Sequence, residues 1–418
     1  MDEIIFLKGN GIMSETQTNG FLVIGGGIGG LSTALALARS GHEVWVFERA
    51  EEFREIGAGL QLGPNAVRVL DWLGVYDALC EVAFFPHRLV ALDAIAEREL
   101  GALDLGESFR AHFGYPYLVI HRSDLLDVLL HACRESGRVH LLANHLVSTV
   151  ENVTDGVRLA CQNGSEFTGK AVIAADGLWS KTRALIQEDS PVCKGYVAYR
   201  GTLPTSQATE HPWLDDVVMW MGPGLHFVQY PIRRGELYNQ VAVFESQKFL
   251  AGEAEWGTPD ELFDHFQMCS TRVQDSLRYI HVDRHWIMYD RDPISNWTDG
   301  RITLLGDAAH PMYQYMAQGA CQAIEDAACL ALSLKAVDMD IEKAFAIYQQ
   351  ERIPRTARIQ TSVRTWGDII HTHDATAALL RNTIMSNRSP DDFQFVDWIY
   401  GYNALTSVAP VPPARVVG

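Results

Sequence analysis

The segment 21–50, "FLVIGGGIGGLSTALALARSGHEVWVFERA", constrains this chain more than any other. An apolar run leads into a glycine turn, an Ala/Leu-rich helix and a second apolar run that ends at Glu48. Gly25, Gly27 and Gly30 stand in GxGxxG spacing. The first permits a tight turn, the second lets the backbone approach a pyrophosphate, and the third lets a helix pack closely on a strand. Free N–H groups and the dipole at the helix start favour phosphate charge. Glu48, at the end of the second strand, is placed to accept hydrogen bonds from an adenosine ribose. Together these features predict a Rossmann-type unit that binds a dinucleotide, without separating FAD from NAD.

A chain of 418 residues, 47% of them hydrophobic, can bury a sizeable core in two or three domains. Lys and Arg number 34 against 52 Asp and Glu, a net charge of −18, which argues against nucleic acid or an anionic membrane surface as the main partner. The seven cysteines are scattered without a CxxC pair, so neither a disulfide framework nor a metal site is expected, and a cytoplasmic location fits. The N-terminus lacks a basic region followed by a long apolar core, and no apolar run is long enough to span a membrane. Residues 1–20 read as a flexible leader, with Met13 as an alternative start, and 409–418, "APVPPARVVG", as a Pro-rich tail.

Two further segments, about 118–186 and 301–337, have α/β nucleotide-binding character. Between them, "VVMWMGPGLHFVQYPI" and "LYNQVAVFES" predict an antiparallel sheet in a separate layer. In its "LHFVQYP" strand, alternation puts His226, Val228 and Tyr230 on one face and Phe227 and Gln229 on the other. The strand alone leaves His226 open between a hydrogen-bonded core histidine and a base lining a pocket. After Ile341 a helical period is broken at Pro354.

"KAVIAADGLWSKTRALI" sets Asp176-Gly177 at the end of one apolar strand, with Ser180 and Arg183 just after. "GRITLLGDAAHPMYQYMAQGACQAIEDAACLAL" sets Gly306-Asp307 after another, followed by a loop and a helix from about Gly319. In order and separation the three motifs resemble those of the single-component, class A flavoprotein aromatic hydroxylases, from about Phe21 to beyond Trp366. The resemblance implies an α/β fold like that of para-hydroxybenzoate hydroxylase. A Rossmann-type FAD-binding domain (21–85, 115–186 and 287–360) is interleaved with a mixed β-sheet substrate domain (86–114 and 187–286), and a C-terminal helical segment covers 361–418. It also implies that Gly25, Gly27, Gly30 and Glu48 hold the ADP half of FAD and that Arg122 reaches the phosphate region. Without the family, Arg122 reads as an ordinary helix-start arginine. Asp176 and Gly177 would serve both FAD and the nicotinamide donor, and Asp307 the ribityl chain. The helix start at Gly319 and Ala320 would face the flavin pyrimidine, where reduction places negative charge. No second GxGxxG follows, as in a family whose donor docks only transiently.

The chemistry implied is NAD(P)H-driven oxygen insertion through a flavin C4a-hydroperoxide into an electron-rich ring. A phenol reacts best as its phenolate, so a histidine base is useful. After the GD pair the family pattern carries His-Pro-x-x-Pro and a Gly-Gln-Gly turn. Here His310 and Pro311 remain, but Gln314 replaces the second proline and Ala317 the first turn glycine. The pairing of His226 with Gln314 resembles the 3-hydroxybenzoate 6-hydroxylase subgroup, as do "AYRGT", "NQVAVFES" and "MYDRDPISNW". That resemblance makes His226 the base and Gln314 its orienting partner, with gentisate and NADH as the expected product and donor. Tyr117 and Tyr230 stay open between lining the substrate pocket and plain packing, and Arg200 and Arg233 are equal candidates to hold the carboxylate. The alternatives are salicylate 1-hydroxylase, 6-hydroxynicotinate 3-hydroxylase chemistry, or a flavoprotein without oxygenase turnover. A homodimer is an expectation from related enzymes, with Trp366, Trp398 and Tyr400 as one face or as internal packing.

Overall fold

A computed structural model describes residues 15–54, 58–208 and 211–408. The three dinucleotide-like segments converge on one sheet of six strands. In order these are Thr298–Asp299, Ile302–Leu304, Ala171–Ala174, Phe21–Ile24, Val44–Phe47 and Val139–Leu142. All neighbours but the first pair run parallel. Parallel strands are buried on both faces, which is why these runs are almost uniformly apolar. The helices Ile28–Arg39, Arg122–Glu135 and Gly319–Ala336 share the main core with this sheet. Because the strands run in register, Ile24, Phe47, Ala174 and Leu304 end side by side. Gly25, Glu48, Asp176 and Asp307 therefore emerge at one sheet edge, the carboxyl end where such folds bind ligands.

A second sheet of seven strands lies across this edge. Its order is His281–Asp290, Val192–Pro204, Leu237–Glu245, Leu225–Ile232, Val217–Gly222, Arg88–Asp93 and Arg98–Asp104. It is antiparallel except where Val217–Gly222 runs beside Arg88–Asp93. Phe227 joins Trp220, Tyr199 and Phe244 in a core on one face, while His226, Val228 and Tyr230 face a cavity on the other. The alternation expected for "LHFVQYP" is the one observed. The last strand of this sheet reaches Asp290, so a domain boundary at 287 falls inside it.

Two local expectations change. Glu15–Gln17 forms a strand beside Glu166–Gly169, and the Thr18 hydroxyl donates to the Thr168 carbonyl at 2.7 Å. The expected leader is thus ordered from residue 15, because three edge residues are too few to show a period in sequence. Residues 1–14, Met13 among them, and the tail 409–418 lie outside the described residues. The helix Ile341–Ile370 runs straight through Pro354. One lost backbone hydrogen bond is outweighed there by tertiary contacts, since Arg352, Arg355, Thr356 and Ile359 around it are all buried. Tyr400, Trp366 and Trp398 line an internal cavity, with Tyr400 buried and the two tryptophans half-buried. Among the described residues, no helix is long and apolar enough to cross a membrane.

Candidate active site

Between the two sheets lies a continuous cavity of about 1200 Å³, more than a drug-sized ligand needs. Every residue singled out from the sequence as a site candidate lines it except Gly30 and Arg233. Gly30 sits beneath the glycine turn, where an added Cβ would lie 1.9 Å from the Gly25 carbonyl oxygen. Gly25 itself has φ of 103°, and a Cβ there would meet the Ala175 carbonyl oxygen at 2.3 Å. These two positions admit only glycine. Glu48 accepts the Gly26 N–H at 2.8 Å and the Ala50 N–H at 2.9 Å. A carboxylate has about four acceptor sites, so lone pairs remain for ribose hydroxyls.

Asp176 caps the turn that follows it, its Oδ2 accepting from the Lys181 N–H at 3.2 Å and the Thr182 hydroxyl at 3.3 Å. Its Oδ1 is buried with no partner among the described residues. Such an acceptor needs a donor, and a polyol hydroxyl would supply one. Across the cavity the Gly319–Ala336 helix begins without a side-chain cap. A Cβ at Gly319 would meet only Asp307 Oδ1, at 3.9 Å, so the approach to its N–H groups is open. Burial lowers the pKa of Arg122, and the Asp307 charge opposes that shift; the guanidinium stays cationic. An adenosine-side carboxylate, an arginine, two polyol-facing carboxylates and an open helix start fit FAD from its ribose to its ring.

Two buried networks hold these pieces. Arg183 pairs with Asp189 at 2.8 Å and donates to the Ala308 and Ala309 carbonyls at 3.1 and 2.6 Å, tying the DG motif to the GD motif. Asp326 accepts the Gly306 N–H at 3.0 Å, His310 Nε2 at 2.6 Å and Arg352 Nε at 2.7 Å. Against burial, which would raise it, His310 and Arg352 hold the Asp326 carboxyl down at about 2. Glu325 beside it binds both Arg352 and Arg355.

The roof supplies a different set of groups. His226 is 2% exposed, and burial pushes its pKa down to about 3, so it is neutral at pH 7. Its Nδ1 lies 2.6 Å from His371 Nε2, which leaves Nε2 as its other hydrogen-bonding atom. Gln314 opens a short turn, and its Oε1 accepts from Arg200 Nη2 at 3.0 Å. Ala317, which ends that turn, is left-handed at φ 52°, a conformation that suits the glycine of the family pattern. Tyr117 donates to Gln61 Oε1 at 2.6 Å, and Gln61 also bonds Tyr230. Burial raises the pKa of both phenols, so both stay protonated. Arg233 pairs with Asp124 at 2.9 Å and does not line the cavity.

Sequence reasoning missed Gln61 and His371 and could not choose Arg200. Gln61 stands in "GAGLQLGPN", where no local pattern marks it out. Arg200 Nε is buried without a partner among the described residues, and its guanidinium stacks over Trp286 at 5.0 Å. Only the fold distinguishes it from Arg233.

A Rossmann sheet whose strand ends open into a dinucleotide-sized cavity, roofed by a second sheet carrying acid–base groups, defines a flavoprotein oxidoreductase. The chain belongs to the FAD-binding family of class A aromatic hydroxylases: the family model described as "FAD binding domain" matches residues 18–362. It is 41% identical over 388 residues to 3-hydroxybenzoate 6-hydroxylase 1 of Aquipseudomonas alcaligenes, covering 92% of this chain and 98% of that one. It is 40% identical over 389 residues to 3-hydroxybenzoate 6-hydroxylase of Polaromonas naphthalenivorans, with 93% and 97% covered. Among solved structures, Klebsiella pneumoniae HpxO complexed with FAD and uric acid matches with a TM-score of 0.80 at 25% identity, over 94% of this chain and 97% of that one.

Proposed function

We propose that this enzyme is a 3-hydroxybenzoate 6-hydroxylase, forming gentisate with FAD, a nicotinamide donor and dioxygen. The observation that carries the reading is that His226 and the bonded pair Arg200–Gln314 line one cavity together with Tyr117, Gln61 and Tyr230. Gly25, Gly27, Glu48, Arg122, Asp176, Gly177, Asp307, Gly319 and Ala320 would hold FAD, which when bound supplies the dioxygen chemistry. The side chains of the roof prepare the substrate. His226 Nε2 takes the proton of the phenol O–H, leaving a phenolate whose charge moves to the ortho and para carbons. Since the Gln314 oxygen already accepts from Arg200, its amide N–H faces the phenolate as donor. Arg200 meets the carboxylate, leaving both oxygens paired and the ring directed. Tyr117 and Tyr230, locked through Gln61, form the apolar wall and keep water from the ring.

The test is FAD-loaded protein with NADH and air, given 3-hydroxybenzoate, salicylate or 6-hydroxynicotinate separately, with products identified by mass and chromatography. Gentisate from 3-hydroxybenzoate is the expected result. Catechol from salicylate, with 3-hydroxybenzoate untouched, overturns the substrate assignment.

A further inference from the structure

His226 does not end its hydrogen-bond chain in the strand that carries it. Its Nδ1 meets His371 Nε2 at 2.6 Å, and the two rings lie 4.9 Å apart, 26° from parallel. His371 caps the C-terminus of the Ile341–Ile370 helix, and its carbonyl accepts the Gly224 N–H at 2.8 Å from the hairpin before His226. Tyr196 stacks on it at 4.8 Å and Tyr315 meets it edge-on at 5.0 Å. Two residues further on, His373 stands at the surface and bonds Glu245 at 3.0 Å. The pair thus runs from the cavity wall to the buried end of that helix, two residues before the surface histidine.

We propose that His371 is the second carrier of the phenol proton, a positioning residue that sets the tautomer of His226 and takes its proton on. This rests on the reading of His226 as the base. The transfer balances without any redox partner. The substrate O–H bond breaks as an N–H bond forms at His226 Nε2. The His226 Nδ1–H bond breaks as one forms at His371 Nε2, and the His371 Nδ1 proton is released to water. The substrate is left as phenolate and both imidazoles return to neutral.

The physical reason is the cost of a buried charge. A lone imidazole in this roof would have to hold an imidazolium where burial strongly disfavours one. His371 shares that penalty, and positive charge beside it adds to the cost: the Arg381 guanidinium on the C-terminal segment, and any proton taken up by His226 on the roof strand, His373 on the C-terminal segment or His265 behind the hairpin. No member of the pair keeps the proton, so it must pass through. The proton shared between Nδ1 and Nε2 also decides function at rest. If His226 donates, its Nε2 is a bare acceptor toward substrate; if His371 donates, Nε2 carries a proton and cannot act as base.

The experiment mixes oxidised, FAD-loaded enzyme with 3-hydroxybenzoate and follows the phenolate ultraviolet band by stopped flow across pH 5–9, roughly the range in which an ordinary histidine titrates. His371→Gln keeps a side chain that hydrogen-bonds but cannot accept and release a proton, and His371→Ala opens room for exogenous imidazole. Phenolate formation is expected to slow by about tenfold or more in both variants. Its pH profile should change, imidazole should restore the alanine variant, and FAD binding should stay intact. Wild-type rates and pH profile in His371→Gln, with His226→Ala impaired, overturn the relay and leave the base standing. Normal phenolate formation in His226→Ala overturns the base, and the relay with it.

Discussion

Arg200 Nη2 donates to Gln314 Oε1 at 3.0 Å across the cavity, from the strand Val192–Pro204 to the turn Gln314–Met316. The bond turns the amide oxygen toward the guanidinium, and in the proposed reaction it leaves the NH2 for the ring. Gln314→Glu replaces that donor with a second anion facing the phenolate. Charge-assisted hydrogen bonds are worth about 1.5–3 kcal/mol, so gentisate formed per NADH oxidised should fall about ten- to a hundredfold, with hydrogen peroxide taking up the difference. Wild-type coupling in this variant would remove Gln314 from the reaction.

The same pair predicts a binding defect at Arg200. Arg200→Lys keeps the charge but loses the planar fork that can reach Gln314 and a carboxylate together. Its KM for 3-hydroxybenzoate should rise about tenfold or more, while 3-hydroxybenzamide, which has no carboxylate, should lose much less. An equal loss for both ligands would refute the carboxylate assignment.

On the cofactor side, Glu48 carries two backbone bonds as well as its expected ribose contacts. Glu48→Ala removes all of them and loosens the Gly26 turn. Titration of apoprotein with FAD, read by flavin fluorescence, should show a Kd about ten- to a hundredfold weaker. An unchanged Kd would show that the adenosine lies elsewhere.

The buried charge cluster under the GD motif makes a stability prediction. Arg352 is fully buried between Glu325 and Asp326. Arg352→Met leaves both carboxylates short of a partner, a change of the kind that costs about 3–5 kcal/mol. Denaturant unfolding should show a loss of that order, with FAD retention falling too because Asp326 fixes Gly306. A variant as stable as wild type would mean that Arg355 alone compensates the pair.

What could be read in the sequence follows from how the site is built. Gly25, Gly27, Gly30 and Glu48 belong to one continuous strand–helix–strand unit, so spacing alone exposes their geometry. The alternation of His226 and Tyr230 is equally local. The partners of these residues are not: Gln314 and Arg200 are 114 positions apart, and His226 and His371 are 145 apart. Gln61, Arg200 and His371 carry no local pattern, because only the packing of the roof on the helical segment gives them a role. Pro354 misled for the mirror-image reason. Its local penalty is real, but the buried arginines on either side hold the helix to Gly319–Ala336 across it.

Acid stability offers a last test of the roof. Burial holds His226 down to about 3 and His211 to about 4, both from an unfolded value of 6.5. Between pH 6.5 and those values the unfolded chain binds protons that the folded chain refuses, so stability must fall as pH falls. Below 3.8 the depressed Asp326, titrating at about 2, adds a second loss of the same sign. The melting temperature should therefore drop steadily from pH 6.5 to 4, before carboxylates contribute much. His211 bonds Gln229 on the face of the sheet away from the cavity, so it can be changed without touching the proposed base. His211→Gln should flatten the slope in that window, and His226→Gln should flatten it further. A melting temperature constant from pH 6.5 to 4 would mean that one or both imidazoles take up protons in the folded state, and the account of His226 as a neutral base at rest would fall.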